Sequence, residues 1–103
     1  MQIRGLADVG DALVASMGAG GLLLDEKQLA PEFFDLRSGL AGEVLQKFTN
    51  YRARLAIIVA DESAYGSRFS ELIHEHRTHR AVRFFGSEQL ARQWLTYNPV
   101  TKC

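Results

Sequence analysis

A run of consecutive apolar residues, LAIIVA at positions 55–60, constrains the fold more than any other part of the sequence. The run is continuous, so it lacks the polar–apolar alternation of a strand with one solvated face. Such runs are typical of a parallel strand that is covered on both faces of its sheet. Because parallel strands are joined by crossover connections, usually helices, the run predicts an α/β fold.

Two further strands and four helices complete the predicted fold. Residues 22–24 and 81–85 are short apolar segments, and Asp25 closes the first of them. Apolar residues recur at helical spacing in four other segments, namely residues 7–17, 40–51, 67–77 and the stretch from Ser87 to Asn98-Pro99. Since strands alternate with helices, we expect a mainly parallel sheet of three or four strands. Residues 1–103 contain no repeat or linker and are predicted to form one domain.

Composition and charge narrow the functional class. Twelve basic and twelve acidic residues cancel, so no global charge draws the chain to nucleic acid or to an anionic membrane. No apolar run approaches the roughly 20 residues of a membrane span, and the first residues do not resemble a signal peptide. The only cysteine, Cys103, has no partner for an internal disulfide. We therefore predict a cytoplasmic protein.

The turn before the second helix contains the main candidate site. Asp35 and Ser38 are residue types that cap helix N-termini, and Gly39 allows the backbone to approach a partner closely. The apolar residues of the following helix lie at helical spacing: Leu40, Ala41, Val44, Leu45 and Phe48. A phosphate on Ser38 would lie at the helix end that favours negative charge. The turn therefore indicates a regulatory or binding site more than a catalytic one.

Several segments resemble a known family. Residues 22–25 (LLLD), 34–42 (FDLRSGLAG) and 54–59 (RLAIIV) are similar to the strand, turn–helix and strand of STAS domains, the anti-sigma-factor antagonist fold. Residues 82–95 are similar to the final strand and helix of STAS-like proteins. The resemblance extends over roughly residues 11–95 and is strongest to an uncharacterised bacterial family of small STAS-like proteins.

In the antagonists, the serine before the motif glycine is phosphorylated, which blocks binding of a partner kinase. The resemblance therefore implies a protein-interaction module rather than an enzyme, without a cofactor. Ser38 would be the control point, with Asp35, Arg37, Gly39 and Gly42 around it. The sequence departs from the motif because its first serine is replaced. The simpler alternative is that Ser38 only caps the helix.

The resemblance also bears on the edges of the sheet. STAS domains have one or two strands before the first helix, whereas only about six residues precede it here, so the N-terminal strands are expected to be short or missing. Either residues 22–25 pair directly with residues 55–60, or residues 1–6 or a second copy of the chain fill the gap. The last arrangement predicts a homodimer, since an unfilled edge favours association.

A second candidate site lies beyond the strand ends. Asp25 and Asp61 each follow a strand, and ligands of open α/β sheets gather at the carboxyl ends of strands. Together with Ser63, they predict the alternative function of a small-molecule binder or weak hydrolase. No third ligand motif and no Gly-rich phosphate loop accompany them, so we expect no metal centre. The competing interpretation is that both aspartates only form turns.

The histidines of the third helix offer a weaker signal. His74 and His76 point to different faces, whereas His76 and His79 can share one. We interpret them as a solvated helix end rather than a zinc site. The nearby arginines lack an aromatic stacking platform, so we expect no nucleic-acid binding, and Arg83 is expected to face solvent alone from within its strand. Trp94 is predicted to be a core residue. Tyr51 and Tyr65 flank the central strand and are candidates to line a small-molecule pocket, although capping the sheet is the simpler role.

Overall fold

The computed structural model, which describes residues 2–96, confirms the parallel sheet. Three strands lie in the order β1-β2-β3, namely β1 (Leu22–Asp25), β2 (Leu55–Ile58) and β3 (Val82–Phe85). Both neighbouring pairs are parallel, with Leu22 beside Leu55 and Leu55 beside Val82. Regular pairing in β2 ends two residues before the predicted limit of the run, although the Val59 N–H still donates to the Phe85 carbonyl at 2.8 Å.

Four helices surround the sheet, as predicted: α1 (Ala7–Ala19), α2 (Leu40–Asn50), α3 (Ser67–Glu75) and α4 (Glu88–Thr96). Short 3₁₀ turns occupy the loops after β1 and β2. The predicted end of the last helix at Asn98-Pro99 lies outside the described residues. Among residues 2–96, no helix is long and apolar enough to cross a membrane.

The two faces of the sheet are covered unequally. Leu55 and Ile57 of β2 face a large core that α1, α2 and α3 also enter. Ala56 points to the opposite face, where its buried neighbours are Ala91 and Trp94 of α4. The continuous apolar run of β2 is therefore explained by burial on both faces, because three helices cover one face and α4 packs on the other.

The N-terminal segment does not join the sheet. Ile3 is fully buried and forms an isolated parallel bridge with Leu29. Its N–H donates to the Gln28 carbonyl at 2.9 Å, and its carbonyl accepts from the Ala30 N–H at 2.9 Å. Of the three arrangements considered for the sheet, the structure shows direct pairing of β1 with β2. The homodimer stays a prediction.

Trp94 is the main contact between α4 and the sheet. Its side chain is only 8% exposed, which confirms the predicted core position. The guanidinium carbons of Arg54 and Arg83 lie 4.7 and 4.9 Å from the ring centroid, a cation–π arrangement. Arg54 also donates to the carbonyls of Trp94 and Leu95 in the last turn of α4. The expectation that Arg83 faces solvent alone is therefore wrong, because Arg83 covers the indole.

Candidate functional site

The predicted site turn folds around Asp35. One Asp35 carboxylate oxygen, Oδ1, accepts hydrogen bonds from the Arg37 backbone N–H at 3.1 Å and from its Nε at 3.2 Å. These bonds lower the pKa of Asp35 below its usual value. Asp35 therefore caps the 3₁₀ turn Leu36–Ser38 rather than α2. Gly39 occupies the N-cap position of α2 with φ of 82°, a left-handed conformation that favours glycine.

Ser38 lies one residue before the cap and is exposed. Its hydroxyl donates to the Glu32 carbonyl at 2.6 Å and accepts from the Leu40 N–H at 3.2 Å. The hydroxyl thus satisfies one first-turn donor of α2, as the simpler alternative requires, while remaining at the surface. Gly42 is also exposed on the first turn of α2, and a Cβ there would have no atom within 4 Å. Asp35, Ser38 and Gly42 are therefore all exposed, the first two on the turn and Gly42 on the first turn of α2.

A cleft of about 460 Å³ lies beside this turn, between residues 34–37 and residues 65–69. Its inner wall is aromatic. The rings of Phe34 and Tyr65 are stacked with centroids 3.8 Å apart, and Phe69 meets Phe34 edge-on at 5.1 Å. The suggestion that Tyr65 lines a pocket agrees with this geometry, whereas Tyr51 lies away from the cleft, at the end of α2.

The cleft carries a small excess of positive charge. Arg37, Arg68 and Asp35 are the residues of its lining that are charged near pH 7, so the formal charge is +1. The Arg37 side chain is 90% exposed and is paired with Asp35. Within residues 2–96, Arg68 has no carboxylate at ion-pair distance. Sequence patterns did not identify Arg68, because nothing in its local sequence shows that it meets a turn about thirty residues earlier.

The Tyr65 hydroxyl ties the cleft to the strand ends. It donates to the Glu26 carboxylate, whose other oxygen accepts from the Ala60 N–H at 3.0 Å. Burial and the hydrogen bond to Glu26 raise the pKa of Tyr65 to about 12, and the charges of Asp25 and Asp61 add to the effect. The raised pKa keeps the phenol protonated to higher pH than an ordinary tyrosine. The protonated hydroxyl holds the loop after β2 against the loop after β1.

At the strand ends, the carboxylates of the alternative site already accept hydrogen bonds within their own turns. Asp25 accepts from the Lys27 N–H at 2.9 Å in a capping box with Gln28. Asp61 accepts from both the N–H and the hydroxyl of Ser63, at 3.0 and 2.6 Å. The side-chain hydrogen bond from Ser63 lowers the pKa of Asp61. In the part of the chain that the structure describes, no group of three or more possible metal ligands is present.

The three histidines are distributed as their spacing predicts. His74 pairs with Glu62, its Nε2 lying 2.9 Å from the carboxylate, while the rings of His76 and His79 lie side by side with centroids 4.6 Å apart. Since α3 ends at Glu75, His79 lies beyond the helix. Its Nδ1 accepts from the N–H groups of Ala81 and Val82, both at 3.1 Å, at the start of β3.

His79 is expected to make stability depend on pH. Burial, and then the charges of His76, Arg80 and Arg83, lower its pKa below the usual value of 6.5. The neutral ring therefore contributes its full stabilisation above about pH 6.5, and this contribution is lost as pH falls through the lowered pKa. Urea unfolding at pH 5.0 and 7.5 measures the effect. His79→Asn keeps an acceptor but cannot titrate, so its stability should change less between the two pH values; an unchanged difference would contradict the assignment.

The described elements define a small α/β protein with a three-stranded parallel sheet and a cleft beside the turn that precedes α2. A family model described as "Domain of unknown function (DUF4180)" matches residues 1–95, and the chain belongs to this family. No curated protein and no solved structure matches it.

The family match corrects the STAS interpretation, which is wrong. That resemblance rested on an Asp-to-Gly turn before a helix, flanked by apolar strands. These features follow from the general requirements of a parallel α/β layer: a strand, a turn with small polar residues and an amphipathic helix. They are therefore shared by unrelated α/β proteins, and the replaced serine of the motif was the sign that this turn differs.

Proposed function

We propose that this protein is a protein-interaction module that is controlled by phosphorylation of Ser38. Its docking surface comprises the turn of residues 35–39 and the exposed side of α2. The observation that carries the proposal is the exposed Ser38 hydroxyl at the start of that helix, where a kinase can reach it.

The docking surface has apolar groups at both ends. Leu36 is 38% exposed on the turn, and Tyr51 is 57% exposed just past the C-terminal end of α2. Between them, the outer side of α2 presents small and polar residues, including Gly42, Gln46 and Asn50. Exposed aromatic and aliphatic side chains commonly anchor partners, and polar groups around them give specificity. This composition supports docking of a folded partner rather than catalysis.

A phosphate on Ser38 would change the charge of this surface. The modified oxygen could no longer donate to the Glu32 carbonyl, and about two negative charges would be added near pH 7. The N-terminus of α2 and the guanidinium of Arg37 stabilise such a charge locally. Arg37 would then be shared between the phosphate and Asp35, so an acidic partner surface would be repelled.

The test compares capture of partners from the native cytosol by four variants. Ser38→Ala should keep the wild-type partner and Ser38→Asp should lose it, while intact mass of the native protein should show a phosphate on Ser38. Gly42→Gln places a side chain on the docking surface and should also lose the partner. Gly10→Gln is the matched control on α1, since a Cβ at either glycine meets no atom within 4 Å. Equal capture by all four variants, with no phosphate, would refute the proposal.

The alternative of a small-molecule binder or weak hydrolase at Asp25, Asp61 and Ser63 has less support. Each of these carboxylates already accepts hydrogen bonds from its own turn, and the Ser63 hydroxyl donates to Asp61 rather than to a general base. The cytoplasm is proposed as the location because Cys103 is the only cysteine. A homodimer is a further proposal, and a monomeric mass in solution would exclude it.

A further inference from the structure

We infer that the cleft between residues 34–37 and 65–69 binds a monocarboxylate that carries an apolar or aromatic group. This inference goes beyond the proposed docking function, because it concerns recognition of a carboxylate in the cleft and does not depend on Ser38. It rests on two independent features of the cleft, namely its size and aromatic wall and the two guanidinium groups that line it, and on the net charge that these groups and Asp35 give it.

The size and wall of the cleft suit a small apolar group. A volume of about 460 Å³ falls within the 300–1,000 Å³ that is typical of ligand sites. Phe34, Tyr65 and Phe69 pack against one another and against the buried Phe33 and Phe84, so the wall is preformed. A preformed apolar wall does not have to be ordered when a ligand binds, which removes one cost of association.

The guanidinium groups at the mouth identify the charged end of the ligand. Arg37 and Arg68 line the same cleft from opposite sides. Arg37 is already paired with Asp35, whereas Arg68 has no carboxylate at ion-pair distance within residues 2–96. A guanidinium group binds a carboxylate through two parallel hydrogen bonds, and Arg68 has these donors available.

The net charge favours one negative charge over two. Arg37, Arg68 and Asp35 give the lining a formal charge of +1, which a single carboxylate neutralises. At the inner end of the cleft, Tyr65 lies within the electrostatic influence of the carboxylates of Glu26, Asp25 and Asp61. Those charges repel a dianion, so a phosphate ester is disfavoured compared with a carboxylate of the same shape.

The experiment titrates the whole protein with phenylacetate and follows backbone amides by ¹H–¹⁵N correlation spectroscopy. Saturable shifts should concentrate in residues 34–37 and 65–69, with Kd on the order of 1 mM for a ligand of about ten heavy atoms. Phenylacetamide, which has no charge, and phenyl phosphate, which is a dianion, should bind more weakly. Absence of shifts in the cleft, or equal shifts with phenylacetamide, would overturn the inference.

Two arginine variants separate direct recognition from long-range charge. Arg68→Gln should weaken phenylacetate binding about tenfold, because it removes the free guanidinium. Arg80→Gln removes the same charge from an exposed position outside the cleft and should leave Kd within about twofold. Equal weakening by both variants would overturn the inference.

A parallel titration with N-acetylphenylalanine distinguishes two sources of the same chemistry. If this model of a protein C-terminus binds more tightly than phenylacetate, the ligand is the terminal carboxylate of another chain; the reverse order indicates a free organic acid. Both orders support the carboxylate site. The Ser38 capture experiment is independent of these titrations, so the docking proposal and the cleft inference can fail separately.

Discussion

Trp94→Ala is expected to remove about 3–5 kcal/mol from the free energy of unfolding, the usual cost of truncating a buried tryptophan. Trp94 is 8% exposed and is the main contact of α4, the one described helix on its face of the sheet. The substitution also ends the cation–π contacts with Arg54 and Arg83, at about 0.5–1 kcal/mol each. Because a domain of this size has only about 5–15 kcal/mol in total, much of its stability would be lost.

Urea unfolding followed by far-ultraviolet circular dichroism measures this loss, since the substitution removes the only tryptophan. Leu90→Ala is the matched control, because Leu90 lies on the same helix but is 52% exposed. Its cost should stay below about 1 kcal/mol. Similar losses in the free energy of unfolding for the two variants would show that Trp94 is not the main anchor of α4 on the sheet.

Phe69→Ala is expected to cost a similar 3–5 kcal/mol, through the opposite face of the sheet. Phe69 is 1% exposed and makes edge contacts with Phe34, Tyr65 and Phe84 at 5.1–6.1 Å between centroids. The cavity would open beneath the cleft, so phenylacetate binding should weaken together with stability. Trp94 fluorescence during urea unfolding reports the change, since this residue lies on the other face.

Two controls define the cause of that effect. Phe69→Leu keeps most of the buried volume, so it should cost less than half as much as Phe69→Ala. Tyr51→Ala removes an aromatic ring that is 57% exposed and should change stability by no more than about 0.5 kcal/mol. A loss for Phe69→Ala no larger than that for Tyr51→Ala would contradict the central role of the aromatic cluster.

The fold was largely predictable because its signals are local. The run at residues 55–60 predicts a strand buried on both faces, and the spacing of apolar residues predicts each helix within a few positions. Trp94 lies at helical spacing with Ala91, so its burial also followed from the pattern. The environment of Arg83 did not follow, because strand alternation tells which face a side chain takes but not what covers that face.

The candidate site was predictable only in part. The turn with Asp35, Ser38 and Gly39 was identified from residue types that favour turns and helix starts. The opposite wall of the cleft was not, since residues 65–69 reach the turn only through tertiary contacts, the packing of Tyr65 and Phe69 against Phe34. The local sequence around Arg68 therefore does not predict its place in the cleft. Among the described residues that line the cleft, Arg68 is the cation without a carboxylate partner.

The strand order has a kinetic consequence. Pairing β1 with β2, and β2 with β3, closes two loops, residues 26–54 and 59–81, which are 29 and 23 residues long. Loop-closure entropy depends only weakly on length, so the two closures differ in cost by about 0.2 kcal/mol. Neither strand pair is therefore expected to form much faster because its strands are closer in sequence. The central strand β2 needs both neighbours to pair its two edges. We therefore expect the sheet to form in one concerted step rather than to grow from a stable hairpin-like nucleus.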